Sequence, residues 1–101
     1  MALAYTFTND LWLYPGDGAW YFITLPTEYG KEIKSLTNSI KRGFGSLKVV
    51  AAIGTTLWHT SIFPDSKTSS YLLPVKKEIR AKNNLKDGQK VTVTIEIVGI
   101  I

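Results

Sequence analysis

Residues Tyr71 to Ile95 read YLLPVKKEIRAKNNLKDGQKVTVTI, and the order of their chemistry decides the fold. Tyr71-Leu72-Leu73 is an apolar strand that Pro74 stops, because proline has no N–H to give to a ladder. Lys76 to about Asn83 then forms a short basic helix, and Asn84 or its neighbour suits the left-handed position that follows one. Asp87-Gly88 is a turn. From Lys90 to Val98 the residues alternate, with Val91, Val93, Ile95 and Ile97 on one face and Thr92, Thr94 and Glu96 on the other. That is the period of a strand with one buried face.

The same grammar occurs once more, upstream. Ala19 to Leu25 is almost continuously apolar (Trp20, Tyr21, Phe22, Ile23), as a strand covered on both faces is, and Pro26 ends it. Thr27 is placed to cap a helix and Glu28 to suit its dipole. Tyr29, Ile33, Leu36 and Ile40 make one helical stripe, Lys41-Arg42 suit the far end and Gly43 stops it, so the helix runs from about Glu28 to Lys41. Gly45 opens a third strand with Leu47, Val49, Ala51 and Ile53 on one face. Phe22 to Ile53 and Leu72 to Ile97 therefore both run strand, Leu-Pro, helix, glycine turn, strand. Two such β-Pro-α-β units predict a barrel of interlocked halves, each covering strand faces the other leaves bare.

The remaining segments supply more strands. Odd positions stay apolar from Leu3 to Leu13, which predicts one long strand, closed by the turn Pro15-Gly16-Asp17-Gly18. Thr55 to Phe63 is another, returning through the polar loop Pro64 to Ser69 into Ser70 to Leu73 as a hairpin. The expected fold class is mainly β, a small barrel of about six strands with two inserted helices, forming a single domain over residues 1–101.

Composition sets limits. The 101 residues are 45% hydrophobic and 20% charged, an ordinary globular balance. The absence of cysteine removes disulfides, thiolate metal sites and cysteine nucleophiles, and agrees with a reducing compartment. The opening MALAYTFTND has no basic leader segment, and no window approaches the roughly 18 apolar residues of a membrane span. The expected location is cytoplasmic, with no membrane partner. A net charge of +4 and a pI near 9.4 suit attraction to anions without specifying one.

The Gly18-Ala19-Trp20 entry to the second strand, the Leu-Pro helix starts, Gly45 and Val49 of the third strand, and Leu73-Pro74-Val75-Lys76-Lys77 together resemble the family known as domain of unknown function nineteen-oh-five. The likeness runs along the whole chain and implies a double-split β-barrel. A looser resemblance links Lys77-Glu78-Ile79-Arg80 and Leu85-Lys86-Asp87-Gly88-Gln89-Lys90-Val91 to the swapped-hairpin domains of AbrB and SpoVT regulators, which dimerise to complete such a barrel. Here Val75-Lys76 separates Pro74 from the matching unit, and Asp87 precedes Gly88 instead of following it. The resemblance implies nucleic acid as a candidate partner, alongside a small anion, for a monomer or homodimer.

Three groups of residues bear on function. Lys76 and Lys77 occupy a helix start, where positive charge opposes the dipole. Either Glu78 compensates while both lysines point into water, or the lysines join free N–H groups and Arg80, one turn on, to hold a phosphate or carboxylate. Trp20 and Trp58 offer a second candidate, a ligand pocket for a planar molecule, against the alternative that they fill the barrel. His59 is the only histidine, beside Thr60 and Ser61, but no carboxylate is marked to orient it, so no catalytic residue is assigned. The acids are scattered singly, which points to no metal site, and no cofactor motif is present. The expected function is non-catalytic binding of an anionic ligand; a small-molecule binder or enzyme with a cleft near Trp20 and Trp58, and a protein-interaction module, are the alternatives.

Overall fold

The computed structural model describes residues 3–37 and 45–98. In chain order the elements are β1 (Leu3–Leu13), β2 (Tyr21–Thr24), α1 (Thr27–Thr37), β3 (Leu47–Ile53), β4 (Thr56–Asp65), β5 (Ser70–Pro74), α2 (Lys77–Lys82) and β6 (Lys90–Ile97). The strands close a six-membered barrel in the order β1-β2-β5-β4-β3-β6, and every neighbouring pair is antiparallel. Closure gives every strand two neighbours in the ring, although the ladders between some of them are short. No helix among the described residues is long and apolar enough to cross a membrane.

The alternation read in the last strand carries through: Val91, Val93, Ile95 and Ile97 are all buried, as are Leu47, Val49, Ala51 and Ile53 of the neighbouring β3, where Val49 pairs with Ile97 and Ala51 with Ile95. On the outer face of the β1–β6 ladder, Thr6 and Thr8 hydrogen-bond to Thr94 and Thr92 at 2.8 and 2.6 Å, cross-strand pairs that help fix the register. Asn84 takes the expected left-handed conformation, with φ 53.

Several boundaries differ from the sequence reading. The second strand starts at Tyr21, because Gly18 (φ 98) and Ala19 (φ 50) break the extended chain, and Trp20 is 58% exposed instead of covered. Thr27 opens α1 as a helical residue, while the Pro26 carbonyl accepts from the N–H groups of Tyr29 and Gly30. The buried stripe of α1 is Gly30, Ile33 and Thr37, and Leu36 points out at 52% exposure. The docking geometry causes this: the helix turns its glycine, not its leucine, to the barrel. Ile40, Lys41, Arg42 and Gly43 lie outside the described residues. Pro64 and Asp65 extend β4 by pairing with Tyr71 and Ser70, which shortens the expected loop. The second helix is trimmed to six residues, with Lys76 as its cap.

One feature of this scaffold positions the cleft described below. The β4–β5 ladder holds three pairs, from Phe63↔Leu72 to Asp65↔Ser70. Val75 N–H and Tyr71 C=O both bond to residues at the β2 side, so by the alternation of an antiparallel ladder the even residues of β5 turn their polar edges to β4. Pro74 has no N–H for that edge, and the ladder with β4 stops before it. The strands part there. Elsewhere on the barrel α1 covers part of β1: the Tyr29 ring lies 5.1 Å from that of Tyr5 and 6.5 Å from that of Phe7. Tyr5 donates a 2.6 Å hydrogen bond to Glu32 Oε2; burial first, then Glu32, holds its phenol neutral well above the usual tyrosine range.

Gly30 lets α1 dock this closely, since a Cβ there would stand 2.7 Å from the Ser70 Cα. Intrinsic helix propensity favours Gly30→Ala by about 1 kcal/mol, but the clash involves backbone and has no soft neighbour to absorb it. The expected outcome is a net destabilisation of about 1–3 kcal/mol, read from the urea midpoint; a stabilised variant would show that the helix shifts freely on β5.

Candidate functional site

Where β4 leaves β5, a cleft of about 880 Å³ opens. Its walls come from three places in the chain. The β1–β2 turn contributes Gly18 to Tyr21, the β5–α2 connection contributes Pro74 to Lys77 with Arg80, and β4 contributes Trp58 to Ser61 and Phe63, with Lys48 of β3 alongside. Trp20, Trp58, Lys76, Lys77 and Arg80 thus share one cavity. Sequence reading treats them as two separate candidates, an anion site and a ligand pocket.

Each wall is held by identifiable contacts. Trp20 stacks on Phe22 at 6.4 Å and 10°, and Phe22 is itself packed against Trp12 and Tyr14. A side chain at Gly18 would come within 3.0 Å of Trp20 Nε1, so the left-handed Gly18-Ala19 turn is what allows the indole to lie over the rim. The Val75 N–H bonds to the Tyr21 carbonyl at 3.0 Å, tying the β5–α2 wall to the turn wall. Arg80 strengthens the same junction: its guanidinium sits 4.1 Å from the Tyr21 ring centroid and its Nε donates to the Val75 carbonyl at 3.1 Å. Trp58 is only 6% exposed and forms the floor. It belongs to the core and to the cleft lining together, which joins the two roles the sequence left open.

The electrostatics are one-sided. Lys48, Lys76, Lys77 and Arg80 line the cleft, and among the described residues no carboxylate does. Among the described residues the one ion pair is Lys90 with Asp10, at 3.1 Å on the exposed face of the β1–β6 ladder. Glu78 makes no ion pair to either lysine there. Lys76 caps α2 with extended backbone and no side-chain capping bond. A helix of six residues has little macrodipole to offer, so the attraction for an anion comes from the side-chain cations, focused by apolar walls. This replaces the helix-start argument for the same residues.

His59 is exposed on the cleft wall, on the strand face opposite Trp58, so it does not pack beside the indole. Thr60 and Ser61 add hydroxyls. No group of three or more metal-capable side chains converges among the described residues, and none of the lining groups is placed to orient the imidazole. What the cleft presents is a set of hydrogen-bond donors, cations and aromatic surface. Lys48 and Phe63 have no place in the sequence reading of the site. The alternation of the third strand puts Lys48 on the outside, but only the barrel order brings that face to α2.

The chain matches the family described as Domain of unknown function (DUF1905) over residues 7–95. It belongs to that family. The matched span of this DUF1905 domain includes every residue of the cleft. No curated protein matches the chain.

In the DUF1905 cleft, Arg80 has two tasks that a lysine cannot perform together, a planar contact with Tyr21 and a directed bond from Nε. Arg80→Lys is expected to cost about 1–2 kcal/mol of folding stability from the lost stacking and hydrogen bond, measured by thermal unfolding. An unchanged midpoint would mean that the junction does not depend on the guanidinium.

Proposed function

We propose that this domain is a non-catalytic binding module for a small anionic ligand. The observation that carries the reading is the convergence of four cations and two indoles on a single cleft whose lining, among the described residues, contains no carboxylate. Exposed lysines alone are weak evidence, since solvated charges cost little. Cations gathered in a concavity of this size, with apolar walls and a few polar groups, have the character of small-molecule sites. The volume also favours a small anion over a nucleic acid duplex, whose phosphates lie along a convex surface that this cleft does not follow.

We also propose that the barrel is a double-split one, built from two interlocked β-Pro-α-β halves. Exchanging β1 with β4, β2 with β5 and β3 with β6 reproduces the same ring order. The registers support it residue by residue. The exchange carries Leu11↔Ile23 onto Pro64↔Tyr71 and Tyr5↔Ile95 onto Trp58↔Ala51, and returns Thr24↔Leu72 to itself. In this reading one chain holds both halves that swapped-hairpin regulators obtain by dimerising.

The binding proposal is tested by NMR titration with inorganic phosphate and, separately, a mixed-sequence DNA duplex, at low and moderate salt. Phosphate is expected to shift the amides of Lys76 to Arg80 and to lose affinity as salt rises. Changing Lys76 and Lys77 to alanine together is expected to lower that affinity by roughly tenfold or more, as for lost charged hydrogen bonds. Duplex DNA shifting the same amides more tightly than phosphate would move the reading to nucleic acid, and no localised shift with either would end it.

A further inference from the structure

The two halves differ around the start of their helices, and the difference bears on the ligand. The register exchange puts Trp58 where the first half has Tyr5, and Thr60 where it has Phe7. The helices can be aligned by their first hydrogen bonds. The Pro26 carbonyl accepts from Tyr29 and Gly30, and the Lys76 carbonyl accepts from Ile79 and Arg80, so Ile79 stands where the first half has Tyr29. In the first half the Tyr29 ring covers those of Tyr5 and Phe7. In the second half both covering and neighbouring rings are replaced, by Ile79 and Thr60, while the floor gains an indole.

The helix start is displaced as well. After Pro26 the first half enters α1 at once, but after Pro74 the chain continues extended through Val75, bonded to Tyr21, before Lys76 caps α2. In the second half the smaller Ile79 is the buried helix residue and does not line the cleft, which opens beside it between β4 and the β5–α2 connection. The floor of the cleft is Trp58 and its rim carries Lys76 and Lys77.

We infer that the cleft takes an aryl anion: a single aromatic ring, seated against Trp58 and Thr60 where the second half lacks the rings of Phe7 and Tyr29, joined to a phosphate or carboxylate that meets Lys76 and Lys77. This rests on the anion-binding reading above and adds the ring to it. The ring's contribution is apolar burial and an offset or edge-on aromatic contact; the anion's is charge-assisted hydrogen bonding. Trp20, stacked outside on Phe22, borders the ring site without forming its floor.

Phenyl phosphate, inorganic phosphate and phenol, titrated separately into the isotopically labelled protein, test this through the backbone amides and the three tryptophan indole N–H signals. The expected result is phenyl phosphate binding about tenfold or more tightly than inorganic phosphate, with the Trp58 indole signal moving more than that of Trp20 or Trp12. Thr60→Phe, which restores the ring of the first half, is expected to lower phenyl phosphate affinity to that of inorganic phosphate. If phosphate and phenyl phosphate bind equally at Lys76 and Lys77 and the Trp58 signal stays still, the ring site is wrong while the anion site stands. Binding of neither removes both. Phenol binding as tightly as phenyl phosphate, or a response at Trp20 without one at Trp58, also overturns the inference, and these wild-type titrations decide it even where Thr60→Phe does not fold.

Discussion

One missing hydrogen-bond donor sets where the cleft of this molecule opens. Pro74 sits at a ladder position whose N–H edge faces β4, and it has nothing to offer there. The pairing of β4 with β5 therefore ends after three residue pairs, although β4 continues for most of its length against β3. A sheet cannot be filled in sideways once its backbone bonding stops. Whatever occupies the resulting gap must be a helix, side chains or a ligand.

The cover that α1 lays on β1 shows what sealing requires. Gly30 brings the helix backbone close to Ser70, Tyr29 lays a ring over Tyr5 and Phe7, and Glu32 receives the Tyr5 hydroxyl. Each contact depends on the others being in place. Beside the cleft the helix is shorter, begins later and offers cations. Arg80 is the exception among them, being committed to Tyr21 and Val75. Its role is to brace the wall from which Lys76 and Lys77 project.

Strands β3 and β6 were legible because their burial follows a period of two, and residues such as Val91, Val93 and Ile95 declare it without tertiary help. The two Leu-Pro corners were legible for the same local reason. Other features depended on partners distant in the chain. Leu36 fits a helical stripe as well as Thr37 does, and only the approach of Gly30 to Ser70 decides between them. Ala19 has no local reason to adopt a positive φ, so the late start of β2 and the exposure of Trp20 were hidden. The cleft's constituents were visible singly, as two tryptophans and three cations. Their meeting was not, since it follows from ring order, which places β4 beside α2 across a ladder that the sequence does not display.

The β1–β6 seam has a kinetic consequence. Its ladder runs from Leu3↔Ile97 to Asp10↔Lys90, joining segments almost a full chain length apart, and it completes the ring. The entropy of bringing those segments together is lost before the ladder returns any bonding energy. Topologies dominated by such distant pairings sit at the slow end of folding for their size. Until the seam forms, β1 and β6 each present an unpaired edge, and the threonines that later bond across it face water. Closure of this seam is thus the step that removes the longest unpaired edges of β1 and β6.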